Sequence, residues 1–157
     1  MRLIVPIAFV LFLAFPLSET RAETATPYSG TRVINTGMAF DAFEARLLES
    51  IGRHKMGLVA QACADCGAKA ALNKVIPKNR VYMIFHPRFA VRMLEASVAS
   101  GIEAPLRLYL TEAQDGTAIL TFRLPSHVFG AYQVPALDVL GKELDDVFAR
   151  IVETARK

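Results

Sequence analysis

The sequence predicts a single α/β (α+β) domain, with one mixed sheet and helices packed on it. Three observations lead there. Stretches with apolar residues three or four apart alternate along the chain with short β-type runs. Two neighbouring runs, 106–112 and 117–124, alternate strictly between apolar and polar residues. No internal repeat or low-complexity tract interrupts the order, which reads β-α-β-α-β-α-β-β-α. One sheet with helices laid on it lets all these elements bury their apolar sides together.

The chain opens on a leader. Met1-Arg2 precedes the uncharged run 3–15, and Pro16-Leu17-Ser18-Glu19-Thr20-Arg21-Ala22 follows. A basic start, a short apolar core and small residues before the expected cut after Ala22 form the secretory signal pattern. The apolar run is shorter than the roughly 20 residues of a bilayer-spanning helix. An uncleaved anchor is the alternative. Cleavage takes residues 1–22, with two arginines and one glutamate, from a chain of 157 residues and net charge +3. The remaining 135 residues carry +2, enough chain for one domain with its own core. Residues 23–30 read as a flexible leader and 31–157 as the domain. An exported protein is expected, periplasmic if the source is a Gram-negative bacterium. The weak, dispersed charge excludes a nucleic-acid-binding stripe or an anionic-membrane patch.

The elements follow in order. Thr31-Arg32-Val33-Ile34-Asn35 reads as a short strand. Phe40, Phe43, Leu47 and Ile51 lay one apolar stripe along a helix. Asp41 and Glu44 sit at its positive end and Arg53, His54 and Lys55 at its negative end, so His54 reads as a surface C-terminal residue. Residues 57–62 form a second strand, and 68–75 a short helix closed by Pro77-Lys78-Asn79. Residues 81–85 are an almost continuous apolar run, the signature of a strand covered on both faces. Pro87 opens a helix that Ser100-Gly101 closes.

Strict alternation in the last two strands fixes their register. Gln114-Asp115-Gly116 suits a three-residue hairpin loop with glycine in the left-handed position. Both apolar sets fall on one face only if Leu110 pairs with Leu120, Leu108 with Phe122, Tyr109 with Thr121 and Arg107 with Arg123. Pro125 breaks the second strand, and a final helix starts near Pro135, with Leu137, Leu140, Leu144, Val147 and Ile151 as its stripe.

Several stretches match a known pattern. These are Phe40-Asp41, Pro77, Phe85-His86-Pro87, Ala104-Pro105-Leu106-Arg107-Leu108-Tyr109-Leu110, Asp115-Gly116 and Leu124-Pro125. On them the stretch from Gly57 to Tyr132 resembles the uncharacterised family called domain of unknown function 302. The resemblance implies a compact α/β domain, often a homodimer, found inside cells and exported. It supplies no catalytic residues.

Two constellations carry chemistry. Cys63-Ala64-Asp65-Cys66 stands where a strand hands over to a helix. Unpaired N–H groups at a helix N-terminus stabilise a thiolate there. Lys69 and Lys74 add positive charge, and Asp65 opposes it. Export favours a disulfide. Three roles compete: a structural disulfide, a redox pair, and a soft-metal site for Cu(I) or Zn with Cys63, Cys66 and His86 as thiol and imidazole ligands. His86 reaches the cysteines if the second and third strands run parallel; its alternative role is to cap the next helix. Gly67 after Cys66 excludes c-type haem attachment.

The second constellation is Arg107 and Arg123, placed opposite each other by the hairpin register, with Tyr109 and Thr121 on the same face. Like charges there are relieved by an anion between them, or by splaying into solvent. His127 reads as a solvent-facing loop residue. No Ser/His/Asp order, phosphate-cradling loop or paired carboxylates mark an enzyme. The expected function is a non-enzymatic exported binding protein for a small ligand or soft metal. Thiol-disulfide exchange with a partner, or protein interaction with a purely structural disulfide, are the alternatives.

Overall fold

The computed structural model describes residues 28–157, so the leader 1–22 and residues 23–27 lie outside the described residues. The chain runs through β1 (Thr31–Ala39), α1 (Phe40–Arg53), β2 (Gly57–Cys63), α2 (Ala64–Leu72), β3 (Asn79–Phe85) and α3 (Pro87–Ala96). A 3-10 segment (Val98–Glu103), β4 (Leu106–Glu112), β5 (Thr117–Arg123), α4 (Pro125–Gly130) and α5 (Pro135–Arg156) complete it.

The five strands form one sheet in the order β1-β5-β4-β3-β2, and every neighbouring pair is antiparallel. The hairpin register is as the alternation demanded, with Leu110 facing Leu120 and Tyr109 facing Thr121. Gly116 takes the left-handed φ of 80° that the loop requires. Tyr82, Ile84, Leu108, Leu110, Leu120 and Phe122 put their side chains into the core. Their odd-numbered neighbours, such as Val81, Met83, Tyr109 and Ile119, are only half-buried. The strand 81–85 is therefore covered on one face, not two. The helices α1 and α5 supply the other half of the core through Phe40, Phe43, Leu47, Leu140, Leu144 and Phe148. Among the described residues no helix is long and apolar enough to cross a membrane.

The expected parallel pairing of β2 and β3 is corrected to antiparallel: Gly57 faces Phe85 and Cys63 faces Arg80. The reason lies in α2. That helix has no buried residue, so it does not lie packed across the sheet. It leaves the sheet at Cys63 and the chain returns at the same end, as in an enlarged hairpin. A crossover to a parallel strand needs a helix that packs along the sheet.

Other boundaries move for local reasons. The second helix starts at Ala64 rather than 68, because the Cys63 side chain accepts the backbone N–H of Cys66 and acts as N-cap. It ends at Asn73, whose φ of 49° is left-handed. The third helix stops at Ala96. Ser97 is extended, and the Ser100 hydroxyl donates to the Ser97 carbonyl at 2.7 Å, closing the 3-10 turn. Pro125 breaks β5 but also opens the short helix α4, its missing N–H costing nothing at a first helical position. His127 therefore lies on a helix, not in a loop.

Helix α4 sits tightly on α5. A Cβ at Gly141 would stand 2.6 Å from Ser126 Cα, a backbone atom that cannot swing away. Gly141→Ala is expected to destabilise the domain by about 2 kcal/mol, even though alanine is the better helix former by about 1 kcal/mol. The urea midpoint reads this; an unchanged or raised midpoint contradicts the packing.

Candidate functional site

Cys63 and Cys66 are joined in a disulfide, with their Cα atoms 5.3 Å apart. It spans the N-cap and first turn of α2. Cys63 is partly buried and Cys66 exposed. The Cys66 N–H lies 3.3 Å from Cys63 Sγ. Asp65 Oδ1 is also 3.3 Å from that sulfur. In the disulfide Cys63 has no proton to donate, so this contact becomes a hydrogen bond only after reduction.

Asp65 is held in place from the sheet. Its Oδ1 accepts the Asn79 N–H at 3.0 Å, and its Oδ2 lies 3.4 Å from Arg80 Nη2. Arg80 also reaches Glu44 Oε2 at 2.7 Å. The Tyr82 hydroxyl donates to the other Glu44 oxygen. Arg80, Asp65 and Glu44 side chains are only 15%, 16% and 18% exposed. The chain Asp65–Arg80–Glu44–Tyr82, beginning beside the disulfide, links the edge of the sheet to the core.

Burial, and then the neighbouring Glu44 carboxylate, push the Tyr82 phenol well above its usual range. A raised pKa means that the folded protein holds this proton more tightly than the unfolded chain. The resulting stability is complete below the unfolded value of about 10 and is lost as pH climbs through the folded value. Tyr82→Phe is expected to flatten the alkaline fall in stability, read as the urea midpoint from pH 9 to pH 11. An equally steep fall in the variant would contradict that assignment.

The other predicted residues do not join this site. His86 follows Phe85 at the opposite end of β3 from Arg80 and Cys63, so the expected His86 ligand is corrected to a helix cap. Its Nδ1 accepts the Arg88 N–H at 3.1 Å at the start of α3. The cause is the antiparallel pairing of β2 and β3. The β4–β5 ladder runs from Tyr109 to Glu112 and stops before Arg107 and Arg123. Arg107 faces Met83, while Arg123 faces Thr31 and lies over the Tyr28 ring at 5.7 Å. The Tyr109 hydroxyl accepts from the Asn79 side chain, and Thr121 faces Val33 on β1 as well as Tyr109. His54 Nε2 lies 2.9 Å from Thr154 Oγ1, and His127 Nε2 lies 3.1 Å from Ser29 Oγ.

Sequence reasoning missed Arg80, Glu44 and Tyr82. A signal was present: Arg80 shares the inward parity of Tyr82 and Ile84, and a charge on the inner face of a strand needs a buried partner. The structure groups Asp65, not the expected His86, with Cys63 and Cys66: the ligand-type atoms of these three lie within 4.8 Å of one another. Both Asp65 oxygens are already engaged by Asn79 and Arg80.

Fold and site together define a two-layer α/β domain with an edge-mounted, helix-capped disulfide. The family model for Domain of unknown function DUF302 matches residues 32–155. The chain belongs to that family. A solved relative, the uncharacterized conserved protein DUF302 from Bacillus stearothermophilus, superposes with a TM-score of 0.73 at 16% identity. The match covers 82% of this chain and 99% of that one, and it shows the shared fold. No curated protein matches the chain.

Proposed function

We propose that the domain is an exported carrier of an exchangeable disulfide, Cys63–Cys66, which reacts with thiols of other polypeptides. One observation carries this reading: the disulfide stands on an exposed edge strand and on a helix that buries no residue. A bond placed there ties no part of the core together. Its small loop removes only about 2 kcal/mol of chain entropy from the unfolded state, too little to explain it as a staple. Exposure of Cys66 and an N–H aimed at the Cys63 sulfur suit exchange instead.

Export rests on the leader pattern in residues 1–22. It would place the pair where disulfides persist. Ligation of Cu(I) or Zn by the reduced pair has less support, because His86 is remote and Asp65 is held by two other partners. A homodimer, as the family resemblance implies, is part of the proposal; the half-buried open face of the sheet gives it a surface. Sedimentation of the mature protein is expected to give twice the monomer mass, and a monomer at micromolar concentration would refute that part.

The test of the main claim uses oxidised mature protein and a reduced peptide containing two cysteines. The peptide is expected to gain one disulfide for each protein disulfide lost, counted by mass after alkylation. Full retention of the protein disulfide beside an unchanged peptide would overturn the proposal.

A further inference from the structure

The two sulfurs of the pair differ in access and in electrostatic support, and both differences point to the same division of labour. Attack on a disulfide needs an open approach to one sulfur, and it is faster when the other leaves as a stabilised thiolate. Cys66 is exposed, whereas Cys63 is partly buried. Cys63 is the sulfur that the Cys66 N–H addresses at 3.3 Å, at the positive end of the nine-residue helix α2. Asp65 stands 3.3 Å from the same sulfur and opposes a negative charge there. Arg80 and the Asn79 N–H hold that carboxylate and offset its charge.

Resting on the thiol-exchange reading, we infer that Cys66 is the sulfur attacked by an incoming thiolate and Cys63 the sulfur that leaves. Asp65 and Arg80 are the positioning pair that sets how readily Cys63 leaves. In the first step a substrate thiolate bonds to Cys66 Sγ. The Cys63–Cys66 bond breaks and its electron pair goes to Cys63 Sγ, which accepts the Cys66 N–H. In the second step the substrate's other thiolate attacks its own sulfur in the mixed disulfide and expels the Cys66 thiolate. The substrate dithiol loses two electrons and two protons, and the protein disulfide becomes two thiols.

The exposed flanks of the site describe the substrate. Among the described residues strand β2 is paired only with β3, and its residues Gly57 to Ala62 are exposed and uncharged. Lys69 on α2 and Lys74 just after it are exposed and have no carboxylate partner among the described residues. An extended, acidic segment of a partner polypeptide carrying two cysteines fits that edge.

The probe is glutathione. Oxidised protein is mixed with it, the reaction is quenched in acid, and the peptide spanning 56–69 is fragmented to locate the adduct. Glutathione is expected on Cys66. An adduct on Cys63, or one shared equally, would overturn the assignment while leaving exchange itself intact. Absence of any adduct, with the disulfide unopened, would overturn both. The second arm uses Asp65→Asn. Removing the like charge beside Cys63 is expected to speed opening by glutathione several-fold. It should also lower the alkylation midpoint of Cys63 in a Cys66→Ser background. Unchanged values in both would remove Asp65 from its role.

Discussion

Cys66→Ser is expected to abolish thiol-disulfide exchange entirely while the domain still folds. The two halves of this expectation come from different parts of the structure. Exchange is lost because Cys66, the more exposed of the two cysteines, is the one proposed to meet the substrate. Folding persists because no residue of α2 belongs to the apolar core, which β3, β4, β5, α1, α3, α4 and α5 build without it. The stability lost should not exceed about 2 kcal/mol, the chain entropy of so short a loop. Circular dichroism and urea unfolding read the fold, and the peptide oxidation assay reads exchange. A variant that fails to fold would make the disulfide a staple, and one that still exchanges would displace the chemistry from the pair.

Arg80→Met should be the most destabilising change near the site. The guanidinium lies between Glu44 and Asp65, and all three side chains are less than one-fifth exposed. Removing it leaves two partly buried carboxylates facing each other without a cation. Breaking a fully buried pair costs roughly 3–5 kcal/mol. The residual exposure reduces this to about 2–3 kcal/mol. Arg80→Lys should recover part of the loss, since it restores the charge but reaches only one carboxylate well. Urea unfolding at pH 7 checks both. A loss below about 0.5 kcal/mol for the methionine variant would mean that the network does not bear on stability.

Much of the fold was legible because it rests on periodicity. The stripe Phe40, Phe43, Leu47 and Ile51 became the buried face of α1, and the alternation of β4 and β5 fixed their register without ambiguity. Sheet direction was not legible. Whether β2 and β3 run parallel depends on whether α2 packs across the sheet, and the small residues Ala64, Ala68 and Ala71 on its apolar side do not show from sequence that it stays unburied. That single inversion carried His86 to the wrong end of the sheet and with it the expected metal ligand. The apolar run in β3 misled for a related reason: Val81, Met83 and Phe85 are apolar but face the open side of the sheet. The cysteine pair itself was legible from its spacing and position. Its surroundings were not, since Glu44, Asp65 and Arg80 are brought together from three separate elements.

The central claim is that Cys63 and Cys66 form an exchanging couple rather than a fixed crosslink. The measurement that tests it most directly is a redox titration of the mature protein in glutathione buffers, with the reduced fraction counted by alkylation and mass. A single two-electron transition is expected within the range the buffers reach, above about −300 mV. A pair that stays oxidised throughout that range would be a structural bond, and would contradict the account.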